Sequence, residues 1–369
     1  MNQRVAALDA LRGLASAFVV VLHVAAMPEP DLPLPRTVAP LVYFGGTGVA
    51  LFFVMSAFSL HLTWPRHAAG ARPLVSFWLS RFLRIAPLLL VLLAAMALRD
   101  GLRIESRYSL PEIAANASLL FGLFPQWQSG IVMGSWTIGV EVPFYLLFPL
   151  IVLYVRSLRG AMMFTLATTF LWLALSAYPP DFATHLVRHT GLITQLPLFG
   201  LGGLCFYGWR HLETFSPGRR RRIGIAATLS GLAGAFALVY LGVPAFLAPI
   251  GSWQASAVIY ALILMGLLLW NQAWLVNRVT CFLGVISYSL YLMHPFVIPR
   301  LYDVMEFLQG QGLPSGVVYL ITLALTLSLF VPLAYLTYRF IERPAILLGQ
   351  RWLRERPAPV ATIAKDAVA

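Results

Sequence analysis

Charged residues are scarce in this chain. Asp, Glu, Lys and Arg together make up 11% of its 369 residues, whereas hydrophobic residues make up 59% and the mean hydropathy is +0.79. A soluble domain of this length needs far more charge to cover its surface. The scarcity excludes a water-soluble globular protein and indicates a chain that crosses a membrane repeatedly.

Cysteine is nearly absent, which excludes several kinds of site. Cys205 and Cys281 both fall near the cytoplasmic ends of apolar spans, so we expect packing residues rather than an extracellular disulfide. The seven histidines and two cysteines show no metal-ligand spacing, and no GxxxxGK[ST] loop that would hold a nucleotide phosphate occurs. We therefore expect neither a metal centre nor nucleotide hydrolysis.

What the chain does contain is a series of apolar stretches of about 20 residues, each long enough for a hydrocarbon core of about 30 Å. They predict an all-α, polytopic transmembrane helical bundle of about ten spans, at residues 8–27, 41–62, 79–98, 134–155, 160–178, 190–210, 223–243, 254–271, 279–299 and 314–340. The stretch 105–128 is only partly apolar and is interpreted as an interfacial or re-entrant helix. We expect one membrane domain, 1–349, and a short, basic, disordered cytoplasmic tail, 350–369.

The charge that is present is strongly basic, with a formal net charge of +12. With the N-terminus inside, 20 of the 26 Lys and Arg residues fall on the cytoplasmic side, which favours an even number of spans and two cytoplasmic termini. Because these residues sit in short loops beside apolar spans, attraction to anionic lipid accounts for the charge. No nucleic-acid module is predicted.

The first span carries two ionisable residues, Arg12 and His23. Eleven residues make almost three helical turns, so both side chains lie on one face, about 16 Å apart along the axis. Asp9 can pair with Arg12, and Ser16 lies on the same face. Because an ionisable group inside a bilayer costs roughly 2.5 to 3.5 kcal/mol, the stripe indicates function, with snorkelling of Arg12 and packing of His23 as structural alternatives. A neutral His23 can accept a proton from an alcohol, and Arg12 suits a phosphate or carboxylate.

Two further segments place charge inside the membrane. Arg81 and Arg84 begin the third span three residues apart, so their guanidinium groups share a helix face and match a pyrophosphate; ordinary cytoplasmic anchoring is the alternative. Glu141 lies inside the fourth span, one helical turn from Tyr145, and needs a partner. It could orient a histidine, bind a sugar hydroxyl or satisfy polar groups of a neighbouring helix.

The last two spans carry weaker signals. Three polar residues share a face of the ninth span: Ser287, Tyr291 and His294. His294 is either an acceptor contact or part of an outer aromatic belt, and we rank it behind His23 as a base. The charges that close the tenth span predict a structural ion-pair clamp: Arg339, Glu342 and Arg343.

Six segments, taken in order, resemble the acyltransferase 3 family of integral-membrane enzymes, which acylate extracytoplasmic carbohydrates and related acceptors. They are LDALRGLASAFVVVLH (8–23), FFVMSAFSL (52–60), RFLRIAP (81–87), SWTIGVEVPFYLLFP (135–149), GVISYSLYLMHP (284–295) and YRFIERP (338–344). Each alone is weak, but six in sequence are specific. The chain departs from the pattern at Ala57, where the family usually has glycine, which bears on close packing around Ser56.

The resemblance implies a bundle in a bacterial-type inner (cytoplasmic) membrane that takes an acyl group, commonly acetyl, from cytoplasmic acyl-CoA. It implies that Arg12, Arg81 and Arg84 bind the donor phosphates. It also implies that His23 is the general base for a hydroxyl of an extracytoplasmic carbohydrate or glycolipid, with Glu141 orienting His23 or the acceptor. Direct transfer and an acyl-histidine intermediate both stay open.

A different class of function could use the same residues. In a proton-coupled transporter of a small solute or glycan, buried Arg, His and Glu side chains would relay protons or bind the solute. Such transporters often show inverted repeats and broken helices in matched halves, and the sequence shows neither. Labelled acetyl-CoA separates the two, because only the enzyme releases free thiol.

Overall fold

A computed structural model describes residues 3–102, 107–177, 187–242, 251–270 and 272–354. Within these ranges the chain forms α-helices and short 3₁₀ or π turns, without a β-strand. The helices are α1 Gln3–Ala26, α2 Ala39–Phe44, α3 Gly48–Ala68, α4 Pro73–Gly101, α5 Leu110–Ala117, α6 Trp136–Tyr154, α7 Leu158–Ala177, α8 Leu192–Leu212, α9 Pro217–Tyr240, α10 Gly251–Leu269, α11 Arg278–Val285, α12 Ser287–Val297, α13 Tyr302–Gly310, α14 Ser315–Thr337 and α15 Arg343–Arg354.

The described ranges contain nine helical segments long and apolar enough to cross a bilayer, or ten if the bent segment that begins with α11 is counted as one span. Each lies at a predicted span. The predicted all-α, polytopic architecture is therefore confirmed. The ends of the first eight differ from the prediction by at most six residues, whereas the last two continue 11 and 12 residues past the predicted ends, to Gly310 and Trp352.

The second span is longer than predicted and is packed tightly on α1. It runs from Ala39 to Ala68 through α2, a 3₁₀ turn at Gly45–Thr47, and α3. A Cβ on Gly45 would lie 2.3 Å from the carbonyl oxygen of Phe18, and one on Gly48 would lie 2.7 Å from that of Ala15. The backbones approach closely because glycine removes the side chain between them.

The departure at Ala57 is matched by a glycine on the neighbouring helix. Ala57 is fully buried in α3, and Gly202 of α8 faces it. A Cβ on Gly202 would lie only 2.8 Å from the Cβ of Ala57 and 2.2 Å from the carbonyl oxygen of Val54. The small residue on α8 keeps the packing around Ser56 close.

The ninth predicted span, 279–299, is broken. α11 ends at Val285, α12 begins at Ser287, and the helices on either side differ in direction by 72°. A break inside the membrane frees backbone groups that need partners. The carbonyl of Ser287 accepts a hydrogen bond from Ser16 Oγ at 3.2 Å, which ties the break to α1.

α1 and α11 cross at a pair of glycines. A Cβ on Gly284 would lie 1.8 Å from the carbonyl oxygen of Asp9, and one on Gly13 would lie 2.6 Å from that of Thr280. Cys281 packs in the same contact, with its Sγ 3.4 Å from the carbonyl oxygen of Ala6. It is buried and free, as is Cys205, so both packing predictions are confirmed.

The stretch 105–128 packs against the bundle without crossing it. Its described part contains α5 and a 3₁₀ turn at Phe121–Leu123, while residues 103–106 lie outside the described residues. Gly122 lies against Gly139 of α6, where an added Cβ would be 2.0 Å from the Gly139 oxygen. The segment thus returns to the helix that carries Glu141.

The end of the tenth span differs from the predicted ion-pair clamp. α14 passes through a π turn, Tyr338–Glu342, into α15. Glu342 is buried there and accepts a hydrogen bond from Ser289 of α12, and no ion pair within the described residues joins it to Arg339 or Arg343. The clamp prediction is wrong because the π turn directs the carboxylate into the bundle. α15 continues to Arg354, and residues 355–369 of the predicted tail lie outside the described residues.

Candidate active site

The three arginines predicted to bind phosphate line one cavity of about 90 Å³, which we call the arginine cavity. Arg12 comes from α1, and Arg81 and Arg84 come from α4. The other residues used below that line it are Phe52, Ser56, Ser59, Glu141, Tyr145, Tyr288 and Tyr291. A space of this volume accommodates a thin chain or a few water molecules.

Arg12 is held by protein contacts. Its Nη2 donates to Ser59 Oγ at 2.7 Å, and its Nη1 lies 3.5 Å from Asp9 Oδ1. The side chains of Arg12 and Asp9 are 19% and 18% exposed. The predicted Asp9–Arg12 pair is confirmed, and the contact with Ser59 of α3 directs the guanidinium into the bundle.

Arg81 carries a buried donor without a partner. Its Nε is shielded from solvent and makes no hydrogen bond within the described part of the chain. A buried unsatisfied donor costs roughly 1 to 3 kcal/mol, and more when it is charged. An anionic ligand in the arginine cavity would remove that cost.

Glu141 lies in the arginine cavity, whereas His23 lies in a second cavity. The hydroxyls of Ser56 and Tyr145 are within hydrogen-bonding reach of the Glu141 carboxylate and are 3.2 Å from each other. Arg81 and Arg84 are close enough to interact with it electrostatically. The structure thus brings Glu141 to the predicted phosphate-binding arginines and does not bring it to His23.

His23 lines a larger cavity of about 610 Å³, which we call the histidine cavity. This volume lies within the range of roughly 300 to 1,000 Å³ that is typical of small-molecule sites. The other residues used below that line it are Tyr43, Thr47, Met133, Gly134, Trp136, His189, Trp253, Tyr291 and His294.

His23 and His294 form a pair in this cavity, with ring centroids 4.5 Å apart. His23 Nδ1 lies 2.7 Å from the Val19 carbonyl oxygen, and His294 Nδ1 lies 2.5 Å from that of Tyr291. Because a carbonyl only accepts, each Nδ1 must carry the proton of its neutral ring. Each Nε2 is then the nitrogen with a free lone pair, as a base or nucleophile requires.

The sequence left His294 open between an acceptor contact and an outer aromatic belt. Its side chain is 2% exposed and touches His23, so it does not lie in a belt at the membrane surface. The helical spacing of Ser287, Tyr291 and His294 correctly indicated a shared face, which lines the two cavities. The contact with α1 could not be read from that spacing, because it depends on the break that begins α12.

Tyr291 lines both cavities. Its hydroxyl donates to the carbonyl oxygen of Gly134 at 2.9 Å, and its ring meets Phe52 edge-on with centroids 5.6 Å apart. Gly134 has a φ of +83°, a conformation that favours glycine. A fixed phenol ring therefore separates the guanidinium groups from the imidazoles.

Sequence reasoning missed a cluster of three rings in the histidine cavity. His189 lies 4.9 Å from Trp136 and 4.3 Å from Trp253, measured between ring centroids. Gln195 is fully buried, accepts from Trp253 Nε1 at 2.9 Å and donates to the His189 carbonyl oxygen at 2.5 Å. Burial lowers the pKa of the His189 imidazole, so this ring is neutral at pH 7.

Comparison with known proteins identifies the family of the chain. The family model of an acyltransferase domain matches residues 5–339. Relatives in Staphylococcus aureus strains COL, MSSA476 and N315, each named "Putative O-acetyltransferase", are 24% identical over 353 residues, covering 88% of this chain and 56% of the relative. The chain thus spans little more than half the length of these relatives, and no solved structure matches it. Because the family match extends over nearly the whole bundle, the chain belongs to the acyltransferase 3 family.

Proposed function

We propose that this membrane protein transfers an acyl group, acetyl in the simplest case, from cytoplasmic acyl-CoA to a hydroxyl of an extracytoplasmic carbohydrate or glycolipid. The observation that carries the proposal is the meeting of two unlike cavities at Tyr291. One is narrow and lined by three guanidinium groups. The other is large enough for a small molecule and lined by two imidazoles.

The arginine cavity suits the donor. Phosphate groups of acyl-CoA would bind Arg12, Arg81 and Arg84, and the unpaired Nε of Arg81 would gain an acceptor. The pantetheine arm is thin enough for a narrow passage and carries its thioester far from the phosphates. The offset between Arg12 and His23, about 16 Å along α1, is comparable to the reach of the pantetheine arm.

The histidine cavity suits the transfer itself. The acceptor hydroxyl gives its proton to His23 Nε2 while its oxygen forms a bond to the thioester carbonyl carbon. The carbon–sulfur bond then breaks, and the thiolate takes the proton from His23 to leave as free CoA thiol. Two imidazolium rings 4.5 Å apart would repel each other, so His23 and His294 together hold no more than one added proton.

We propose that Glu141 acts on the donor side as a positioning residue. Its carboxylate would hold the hydroxyls of Ser56 and Tyr145 and would balance part of the charge of Arg81 and Arg84. A carboxylate there also offsets the mutual repulsion of the two guanidinium groups while the cavity is empty. We propose this role for Glu141 in place of the orientation of His23 that was expected from the sequence.

The proposal takes its membrane orientation from the distribution of Lys and Arg along the sequence. The Lys and Arg bias favours two cytoplasmic termini, which puts the arginine cavity on the side where acyl-CoA is made. The histidine cavity then lies toward the outer side. The transporter alternative gains little support, because the described residues contain one strongly bent helix pair and transporters typically break helices in matched halves.

The decisive experiment follows both products of acetyl-CoA in membranes that contain the protein. We expect free thiol and acylated acceptor to form together, and His23→Ala to lower the rate by about 10² to 10⁴-fold. His211→Ala is the matched control, because His211 is exposed at the end of α8. Normal thiol release by His23→Ala would remove this residue from the mechanism, and label that crosses the membrane without thiol release would favour the transporter.

A further inference from the structure

The lining of the histidine cavity carries no formal charge within the described part of the chain. Its polar groups are imidazoles, hydroxyls, an indole N–H and backbone amides, and it contains no Arg, Lys, Asp or Glu. Burial favours the neutral form of the His189 imidazole, and the short distance between the His23 and His294 rings disfavours a proton on both at once. A ligand with a charge would find no counter-charge in this space.

One residue of this lining, Tyr43, is hydrogen-bonded to an acidic group. Tyr43 lines the cavity, and its hydroxyl donates to the carboxylate of Asp31 at 2.9 Å on an exposed segment. A negative charge at this point repels an anion that approaches the cavity. The electrostatic environment therefore disfavours carboxylates and phosphates both near Tyr43 and inside the histidine cavity.

One wall of the cavity is aromatic and rigid. Trp136, His189 and Trp253 pack on one another, and Gln195 bonds both the indole N–H of Trp253 and the backbone carbonyl of His189. The face of an aromatic ring is electron-rich, so it attracts the C–H groups that a sugar ring presents on its faces. A pre-ordered wall of this kind binds a ring-shaped ligand without the cost of ordering its own side chains.

We propose that the acceptor is an uncharged sugar that packs against Trp136, His189 and Trp253, and that sugars with a carboxylate or phosphate near the reacting hydroxyl are excluded. This inference rests on the proposed function and narrows its acceptor class. The physical reason is the cost of bringing an unpaired charge out of water into a cavity that offers no partner.

The test compares matched acceptors with the full chain in membranes. Alkyl glucoside, galactoside and mannoside are each paired with the corresponding uronide, and CoA thiol release is measured for each. We expect the neutral member to react at least about tenfold faster at subsaturating concentration. Equal rates within pairs would overturn the inference and leave the acyltransferase intact, whereas no thiol release with any acceptor or with native membranes would remove the proposed function and this inference together.

A variant that introduces a positive charge tests the cause of the selectivity for uncharged acceptors. Met133 lines the cavity and its side chain is half exposed, so a longer cationic side chain can reach the space without a core change. We expect Met133→Lys to raise the uronide-to-glycoside rate ratio by about tenfold relative to Met133→Gln, because the ammonium supplies the missing counter-charge. The same ratio in both variants would show that charge does not select the acceptor.

The aromatic wall is tested at Trp253. We expect Trp253→Ala to raise KM for the neutral acceptor by about tenfold with little change in KM for acetyl-CoA, and Trp253→Phe to restore most of the loss because a ring face is kept. A change in kcat alone, without a change in either KM, would contradict a binding role for the ring. An equal rise in KM for the neutral acceptor in both variants would also contradict a binding role for the ring. Such a result would trace the effect to the indole N–H and its bond to Gln195.

Discussion

The crossing of α1 and α11 determines where Arg12 stands, and one methyl group can perturb it. In Gly284→Ala the new Cβ would meet the carbonyl oxygen of Asp9 at 1.8 Å and its carbon at 2.4 Å. Both are backbone atoms, so no side chain can rotate away. To reach ordinary van der Waals contact, the two helices must separate by roughly 1.5 Å at this point.

This displacement reaches the proposed donor site directly, because Asp9 lies one helical turn before Arg12 and pairs with it. A misplacement of about 1 Å near reacting groups can cost about 10²-fold in rate. Overpacking of a tight core contact typically costs about 1 to 3 kcal/mol. We therefore expect Gly284→Ala to fold with a lowered Tm, to raise KM for acyl-CoA, and to lower kcat/KM by about 100-fold.

The matched control is Gly208→Ala in α8. A Cβ there would lie 3.9 Å from its nearest neighbour, so the methyl fits without any shift. The assay is acetyl-CoA thiol release by both purified variants, with Tm measured in the same detergent. A wild-type KM for acyl-CoA in Gly284→Ala would refute the idea that this crossing positions Arg12.

Three further predictions concern the two cavities. Arg81→Gln should raise KM for acyl-CoA by about tenfold or more, while Arg99→Gln at the far end of α4 should not; equal effects would deny Arg81 a specific role. Tyr291→Ala should open the arginine cavity to water from the histidine cavity and raise thiol release without acceptor, and Tyr291→Phe should do so far less, as measured by a thiol reagent. His294→Gln should lower kcat by about tenfold and move its pH profile, since His23 loses the ring that shares its environment; an unchanged profile would leave His294 a packing residue.

Local patterns were enough to predict the spans and the residues that share a helix face. The 3.6-residue period places Arg12 and Asp9 together, as it does Arg81 and Arg84, and the apolar run lengths define the helices. That Arg12 would act together with Arg81 and Arg84 came only from the resemblance to the family. The structure brings Arg12, Arg81 and Arg84 to one cavity.

The partners of Glu141 and His294 could not be predicted from the sequence. A helical period fixes which residues share a face, but it does not say which neighbouring helix that face meets. The meeting of His294 with His23 needs a break at Ile286 and a glycine crossing between α11 and α1. The same holds for His189, which lies in a loop before α8 and reaches Trp253 only through tertiary packing.

A phenol ring held between Phe52 and the Gly134 carbonyl has a consequence for energy conservation in the cell. Any continuous water column through this protein would let protons and ions run down their gradients. An enzyme that draws its donor from one compartment and its acceptor from another must therefore block water at the point where the two substrates meet. In the proposed mechanism, Tyr291 in that position would leave only the group covalently carried on the donor to pass, and the bilayer would stay closed to ions during turnover.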